Sequence, residues 1–265
     1  MIKLIACDLD GTLLDSNKRL PEEFPKLIEK LKAKGIHFAV ASGRSYAGIK
    51  EMFIDYIDDI VFICDNGAFV MYKEERLHLD LMKKEDIREL ALLSRDLDGL
   101  ILLCGMHGTY HMPAKTKEAN DEIVKYYTNR VLVEDDLDVD DEFFKVALFD
   151  GEGSEEHSYP YLVEKYGDKY NGQTSGKYWM DIMNGGTNKG SALKAIQEKF
   201  DISYDETMAF GDYMNDYELL ENASYSFAMA NSHPKISKLA NYKAGSNDEN
   251  GVLKAIVEYV FDGDF

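Results

Sequence analysis

The stretch IACDLDGTLLDS, residues 5–16, runs apolar strand character straight into two aspartates one residue apart, Asp8 and Asp10, and then a glycine. The short continuous apolar run over residues 3–7 suits a strand buried on both faces of a parallel sheet. Two carboxylates at such a strand end repel each other unless something cationic sits between them. Outward from this point the pattern repeats. RLPEEFPKLIEKLKAKGI, residues 19–36, sets Phe24, Leu27, Ile28 and Leu31 on one helical stripe, with proline near its start and Gly35 at its end. HFAVASG (37–43) and DIVFICDNG (59–67) are again apolar runs that stop in polar, glycine-containing turns, with a helix predicted over 45–57 between them. The unit reads βαβαβ.

After a predicted hairpin over residues 68–81 the character changes. From about Met82 to Gly185 amphipathic helices alternate with strands, as in an inserted α/β domain; the chain then returns to a helix (188–200), a strand ending in ETMAFGD, another helix and the strand YSFAMA. The expected division is therefore 1–81 and 186–265 for one domain and 82–185 for the insert.

The chain has 265 residues, 45% of them apolar, enough for a substantial core. Thirty basic residues against 49 acidic give a net charge of −19, which repels nucleic acid and anionic lipid and leaves small molecules as the expected partners. Much of that acidity, as in EDDLDVDDE, reads as solvated surface. No signal-peptide pattern and no membrane-length apolar run is present, so the expected compartment is the cytoplasm. Cys7, Cys64 and Cys104 each lie in or beside apolar strand-like runs, and neither a disulfide nor a zinc site is expected.

In an open parallel sheet, ligands bind beyond the carboxyl ends of the strands. Asp8 and Asp10, Ser42 and Gly43, and Asp212 all fall at such ends and should converge. In GDYMND (211–216) a helix starting near Asp212 would put Asp212, Asn215 and Asp216 on one face. Carboxylates at 8, 10, 212 and 216 in one cleft call for a divalent cation, and hard oxygen ligands suit Mg²⁺. Lys189 begins a helix for which Thr187 is the expected N-cap, and from there it can reach the crevice. Ser42 and the Gly43 backbone offer neutral donors to a phosphate. Arg44 and Asn66 follow strand ends and are second-tier substrate contacts. His107 and His111, four apart in HGTYH but flanking a glycine in strand-like sequence, lack helical metal-ligand geometry and are expected to be bland.

DLDGTLLD, ASGR, NKG and GDYMND occur in this order, each at a predicted strand end or helix start. With these the chain resembles the haloacid dehalogenase superfamily, and within it the Cof-type sugar phosphatases with a large α/β cap. The resemblance spans nearly the whole sequence, including the closing stretch SFAMANSHPKISKLANYKAGSNDENGV, where Ala230 stands at a position at which glycine is common. It implies a Rossmann-like parallel-sheet core with an inserted α/β cap, Asp8 as nucleophile and Asp10 as general acid/base. It makes Ser42 and Lys189 phosphate ligands, with the backbone N–H groups of Leu9 and Gly43 completing the cradle. Asp212 becomes a Mg²⁺ ligand together with Asp8 and the Asp10 backbone carbonyl, while Asn215 orients the phosphate or Lys189 and Asp216 supports the metal shell.

The expected activity is Mg²⁺-dependent hydrolysis of a small phosphorylated metabolite, most readily a sugar phosphate, through an aspartyl phosphate. The expected protein is a monomer or weak homo-oligomer. Two alternatives stay open at this point: a phosphomutase that returns the phosphoryl group to a second sugar position, and a binding or signalling module in which a phosphorylated Asp8 is read out.

Overall fold

β1 (Leu4–Asp8) is apolar on both faces because it lies inside a sheet, with all five residues buried. The computed structural model describes residues 1–97, 99–127, 129–175 and 177–265, with only the backbone at residue 175. α1 (Phe24–Ala33) buries the expected stripe of Phe24, Leu27, Ile28 and Leu31 and leads into β2 (His37–Ala41), which pairs in parallel with β1. α2 (Tyr46–Lys50) is shorter than the predicted helix: it tightens into a 3₁₀ turn over Glu51–Tyr56, where Phe53 leaves helical geometry at φ −116°. β3 (Ile60–Cys64) pairs in parallel with β2, and the hairpin of β4 (Phe69–Tyr72) and β5 (Glu75–Leu79) follows it antiparallel.

Residues 80–187 form a separate compact unit. Its elements are α3 (Lys84–Asp96), β6 (Leu100–Gly105), β7 (Thr109–His111), α4 (Lys117–Tyr126) and β8 (Arg130–Leu132), then β9 (Phe143–Phe149), α5 (Tyr159–Tyr166), β10 (Tyr170–Ser175) and β11 (Trp179–Asn184). The six strands run in the order β10-β11-β9-β6-β7-β8. One apolar cluster of this unit joins Leu90 of α3 to Leu103, Val146, Met180 and Ile182 of the sheet. Asp80 ties the two ends of the unit together, accepting from Asn184 Nδ2 at 2.8 Å and from the Thr187 hydroxyl. Gly185 is held in close approach to the backbone oxygens of Asp168 and Lys169, which a side chain would overlap.

The chain re-enters the first unit, residues 1–79 and 188–265, through α6 (Lys189–Phe200). Thr187 spends its hydroxyl on Asp80, so it is Asn188 that caps α6, in a reciprocal capping box with Ser191. β12 (Thr207–Gly211), α7 (Tyr217–Glu221), β13 (Tyr225–Ala228), α8 (Pro234–Leu239), β14 (Tyr242–Lys243) and α9 (Gly251–Phe261) complete it. The sheet order is β14-β13-β12-β1-β2-β3-β4-β5, parallel from β14 to β3. This is the expected α/β architecture with a parallel-sheet core. The order places the carboxyl ends of β12, β1, β2 and β3 side by side, which brings residues distant in sequence to one sheet edge. Among the described residues no helix is long and apolar enough to cross a membrane.

Candidate active site

Asp8 closes β1 and is only 6% exposed. Its Oδ1 accepts from Lys189 Nζ at 2.6 Å, and the same ammonium donates to Asp216 Oδ1 at 2.6 Å. Lys189 is fully buried, so both bonds are made out of reach of bulk water. The first turn of α6 thus delivers a cation between two carboxylates from the ends of β1 and β12. Gly190 makes that approach possible, because a Cβ there would run into the backbone oxygen of Glu218.

The Asp212–Asp216 stretch is not the helical face that the sequence suggests. β12 ends at Gly211, and Met214–Asp216 is a 3₁₀ turn ahead of the short α7. Asp216 folds back within it, and its Oδ2 accepts from the backbone N–H groups of Asp212 (3.0 Å) and Tyr213 (3.2 Å). Gly211 leaves room for this, since a Cβ would lie 2.5 Å from the Asp216 Cβ. Asp212 is held from the other side, with Thr12 Oγ1 donating to its Oδ1 at 3.2 Å. Gly11, at φ +86°, passes so close that a Cβ would come within 2.5 Å of Asp212 Oδ2.

Asp8, Asp212 and Asp216 each offer a carboxylate oxygen within 4.8 Å of the others. Three carboxylates with one ammonium leave an excess of two negative charges when all are ionised. The protein resists that state: burial and the neighbouring Asp216 push Asp8 up to about 8, against the pull of Lys189. Burial and Asp216 likewise push Asp212 up to about 6. Burial works against the charge on Lys189, but Asp216 and Asp8 more than compensate and hold it above its ordinary range. A donor set made wholly of carboxylate oxygen, with surplus negative charge, fits a hard divalent cation such as Mg²⁺.

The carboxyl of Asp10 stands apart from this group. Its Oδ1 accepts from Lys18 Nζ and from Arg44 Nη2, both at 2.6 Å. Burial pushes Asp10 up, yet the hydrogen bond from Lys18 and the charge of Arg44 outweigh it and leave the carboxyl below its ordinary range. In the expected metal set Asp10 entered through its backbone carbonyl, and its side chain is occupied elsewhere.

The remaining predicted residues gather along the ends of β2 and β3. Ser42 is buried, its Oγ accepts from Arg44 N at 3.1 Å and its carbonyl from Asn66 N at 3.0 Å. Asn66 Oδ1 accepts from Asn215 Nδ2 at 3.2 Å, and its side-chain amide lies 3.2 Å from where a Cβ on Gly43 would stand. Asp65, Asn66 and Gly67 all take positive φ (47°, 52° and 102°), a sharp reversal that lets Gly67 touch the Asn188 carbonyl at the start of α6. Leu9 is buried, and its carbonyl accepts from Leu14 N at 2.9 Å, folding the chain back after the two aspartates. Asp8, Leu9, Asp10, Ser42, Gly43, Arg44, Asn66, Lys189, Asp212, Asn215 and Asp216 therefore all lie at one sheet edge of the first unit. His107 and His111 lie in the other unit, against Asp141 Oδ1 and the Met112 carbonyl. Sequence reading missed Thr12 and Lys18; the only signal was their place just after the paired aspartates.

Residues 5–256 match the family model of haloacid dehalogenase-like hydrolases. The chain belongs to that family. It is 32% identical over 259 residues to the 5-amino-6-(5-phospho-D-ribitylamino)uracil phosphatase YbjI of Escherichia coli K12, covering 96% of this chain and 95% of that protein. The crystal structure of SMU.1108c from Streptococcus mutans UA159 superposes with a TM-score of 0.87 at 31% identity, over 98% of this chain and 100% of that one. The subclass IIB sugar phosphatase BT4131, 22% identical, shares the fold with a TM-score of 0.80 over 97% of this chain and 99% of its own. The chain is a phosphomonoesterase of the Cof type.

Proposed function

We propose that this enzyme hydrolyses the phosphate ester of a small sugar or sugar alcohol, with Asp8 as nucleophile, Asp10 as acid and base, and Mg²⁺ as cofactor. The observation that carries the reading is the separation of the two aspartates. Asp8 sits with Lys189, Asp212 and Asp216 in a buried acidic group, whereas Asp10 faces Lys18 and Arg44. Two carboxylates in unlike environments are suited to unlike tasks.

Asp8 and Asp212, with the Asp10 backbone carbonyl, would hold the Mg²⁺, and Asp216 would support them. When bound, the ion supplies the positive charge that favours ionised Asp8 and balances the phosphoryl oxygens. Lys189 holds Oδ1 of the Asp8 carboxylate and so fixes which oxygen is free to attack phosphorus. Attack by a carboxylate needs no base and gives an aspartyl phosphate as the ester oxygen leaves. Beside Lys18 and Arg44, Asp10 is held as a carboxylate, the form that takes a proton from the water that cleaves the aspartyl phosphate; to protonate the leaving ester oxygen it must first gain a proton as the substrate enters. Ser42, the Gly43 backbone and Asn215, linked through Asn66, form the neutral rim that receives phosphate.

The sugar or polyol preference is supported by the name of the E. coli relative, whose substrate is a phosphoribityl compound, and by the subclass IIB sugar phosphatase that shares the fold. Selection among such esters we assign to the 80–187 unit, because the residues above recognise only phosphate and metal. The same reading puts the enzyme in the cytoplasm, as a monomer or weak homo-oligomer acting on free metabolites. The net charge of −19 disfavours polyanionic partners.

Phosphate release from a Mg²⁺-supplemented panel of sugar, polyol, nucleotide and cofactor phosphates tests the proposal. Turnover should be highest with sugar and polyol phosphates, absent from Asp8→Asn, and in Asp10→Asn depressed most where the leaving group is poor. Full activity of Asp8→Asn would remove the nucleophile assignment.

A further inference from the structure

We propose that Lys18 is a positioning residue for Asp10: it fixes the carboxylate that takes a proton from the water cleaving the aspartyl phosphate, and keeps it apart from the buried acidic group. The inference rests on the reading of Asp10 given above.

An exposed lysine usually samples many rotamers and marks nothing. Lys18 is held differently. Its backbone is in the left-handed region at φ +62°, which is uncommon for a residue with a side chain and persists only where the surroundings impose it. The surroundings do so from two directions. Asp15 folds the turn, its Oδ1 accepting from Asn17 N (2.8 Å) and Arg19 N (2.9 Å), while Lys18 N donates to the Asp15 carbonyl at 2.9 Å. The turn is then fastened to a segment more than 200 residues away in sequence: Asp248 accepts from Ser16 N (2.8 Å) and Ser16 Oγ (2.7 Å), and Asn247 Nδ2 donates to the Leu14 carbonyl at 2.9 Å.

The outcome of this bracing is one contact, Lys18 Nζ to Asp10 Oδ1 at 2.6 Å. Arg44 reaches the same oxygen at the same distance from the end of β2, and its own N–H is anchored on Ser42 Oγ. Two cations from separate elements on one oxygen define the direction of the carboxyl, which the backbone of Asp10 alone does not. Without that direction the Asp10 side chain would be free to turn, and proton transfer depends on placement within hydrogen-bond reach of the reacting oxygen. Among the described residues the side chain of Lys18 hydrogen-bonds to Asp10 and to no residue of the buried acidic group or the phosphate rim, so its influence on the reaction runs through Asp10.

The test is rapid-quench and steady-state kinetics of Lys18→Met and Lys18→Arg with p-nitrophenyl phosphate, whose leaving group departs without a proton, so that only the water step calls on Asp10. A positioned base supplies a hundredfold or more, so losing its placement should slow hydrolysis of the aspartyl phosphate about tenfold in Lys18→Met, seen as a nitrophenol burst ahead of a slower steady state, with less than about a twofold change in the burst rate. Lys18→Arg should recover most of the loss. The thermal midpoint should stay where it is, since the pair is exposed and contributes little to stability. A burst rate slowed as much as the steady state, or no loss at all, would overturn the role of Lys18 and leave the phosphatase reading intact. An Asp8→Asn control with full turnover would instead strike the reading beneath it.

Discussion

Replacing Lys189 by methionine, close to it in volume but uncharged, isolates what its ammonium does. Lys189 and the side chain of Asp216 are both fully buried, and the ammonium makes two 2.6 Å contacts, to Asp216 and Asp8. Removing one partner of a buried ion pair leaves an uncompensated charge and costs about 3–5 kcal/mol. In a protein of this size each kcal/mol moves the midpoint by roughly 2–4 °C, so the first unit should melt about 6–20 °C lower in chelator. The chain has two compact units, so its unfolding should be followed with a probe in the first unit, and the shift should appear only there. Asp216→Asn added to Lys189→Met removes one of the stranded charges while its side-chain oxygen can still accept from Asp212 N and Tyr213 N. The double variant should therefore be more stable than Lys189→Met alone, giving a coupling of about 1–3 kcal/mol. Millimolar Mg²⁺ should also recover part of the loss in Lys189→Met. Circular dichroism melts in EDTA and in Mg²⁺ read all of this. A chelated Lys189→Met protein melting within about 2 °C of the parent would refute the view that one ammonium holds the acidic group together.

Three further outcomes follow from the same geometry. Burial and mutual repulsion hold Asp8 at about 8 and Asp212 at about 6, so each binds protons more tightly folded than unfolded; without metal the first unit should lose stability as pH rises through those values. Because both must be ionised to hold a cation, Mg²⁺ affinity by titration calorimetry should fall about a hundredfold from pH 8 to pH 6, and equal affinities would contradict the assignment. Gly67→Ala, at φ +102° with the Asn188 carbonyl in the way, should destabilise by roughly 1–3 kcal/mol more than Gly35→Ala, at φ +69° in open space, as urea unfolding would show. Exchanging residues 80–187 for those of a relative with another substrate range should move the ranking of sugar phosphates and leave the metal requirement unchanged; an unchanged ranking in a folded chimaera would assign specificity to the first unit.

The periodic parts of this fold are legible in the sequence because burial alone decides them. β1, α1, β2, β3 and the β4–β5 hairpin lie where apolar runs, helical stripes and turn residues put them. β10 (YNGQTS) carries no such pattern and is a strand because it pairs along its whole length with β11, a tertiary influence that outweighs local propensity. The cap of α6 shows a finer limit. Thr187 and Asn188 are both good N-cap residues, and the choice was settled by Asp80, more than a hundred positions earlier, which takes the Thr187 hydroxyl.

The two aspartates that flank Leu9 show why the site was only half legible. Their sequence announces a problem of charge; strand-end logic finds Asp212, a helix start finds Lys189, and spacing from Asp212 finds Asp216. Yet Asp8 and Asp10 are not both neutralised by that one solution. Leu13 and Leu14 donate back to the Asp8 and Leu9 carbonyls, folding the chain into a tight turn directly after Asp10. That turn leaves Asp8 facing the buried ammonium and Asp10 facing the partly exposed cations Lys18 and Arg44. Lys18 belongs to no periodic pattern, and its placement depends on Asp15, Asn247 and Asp248 together. A residue fixed by three separated contacts leaves no local signature, although the charge it answers is plain in the first ten residues of the chain.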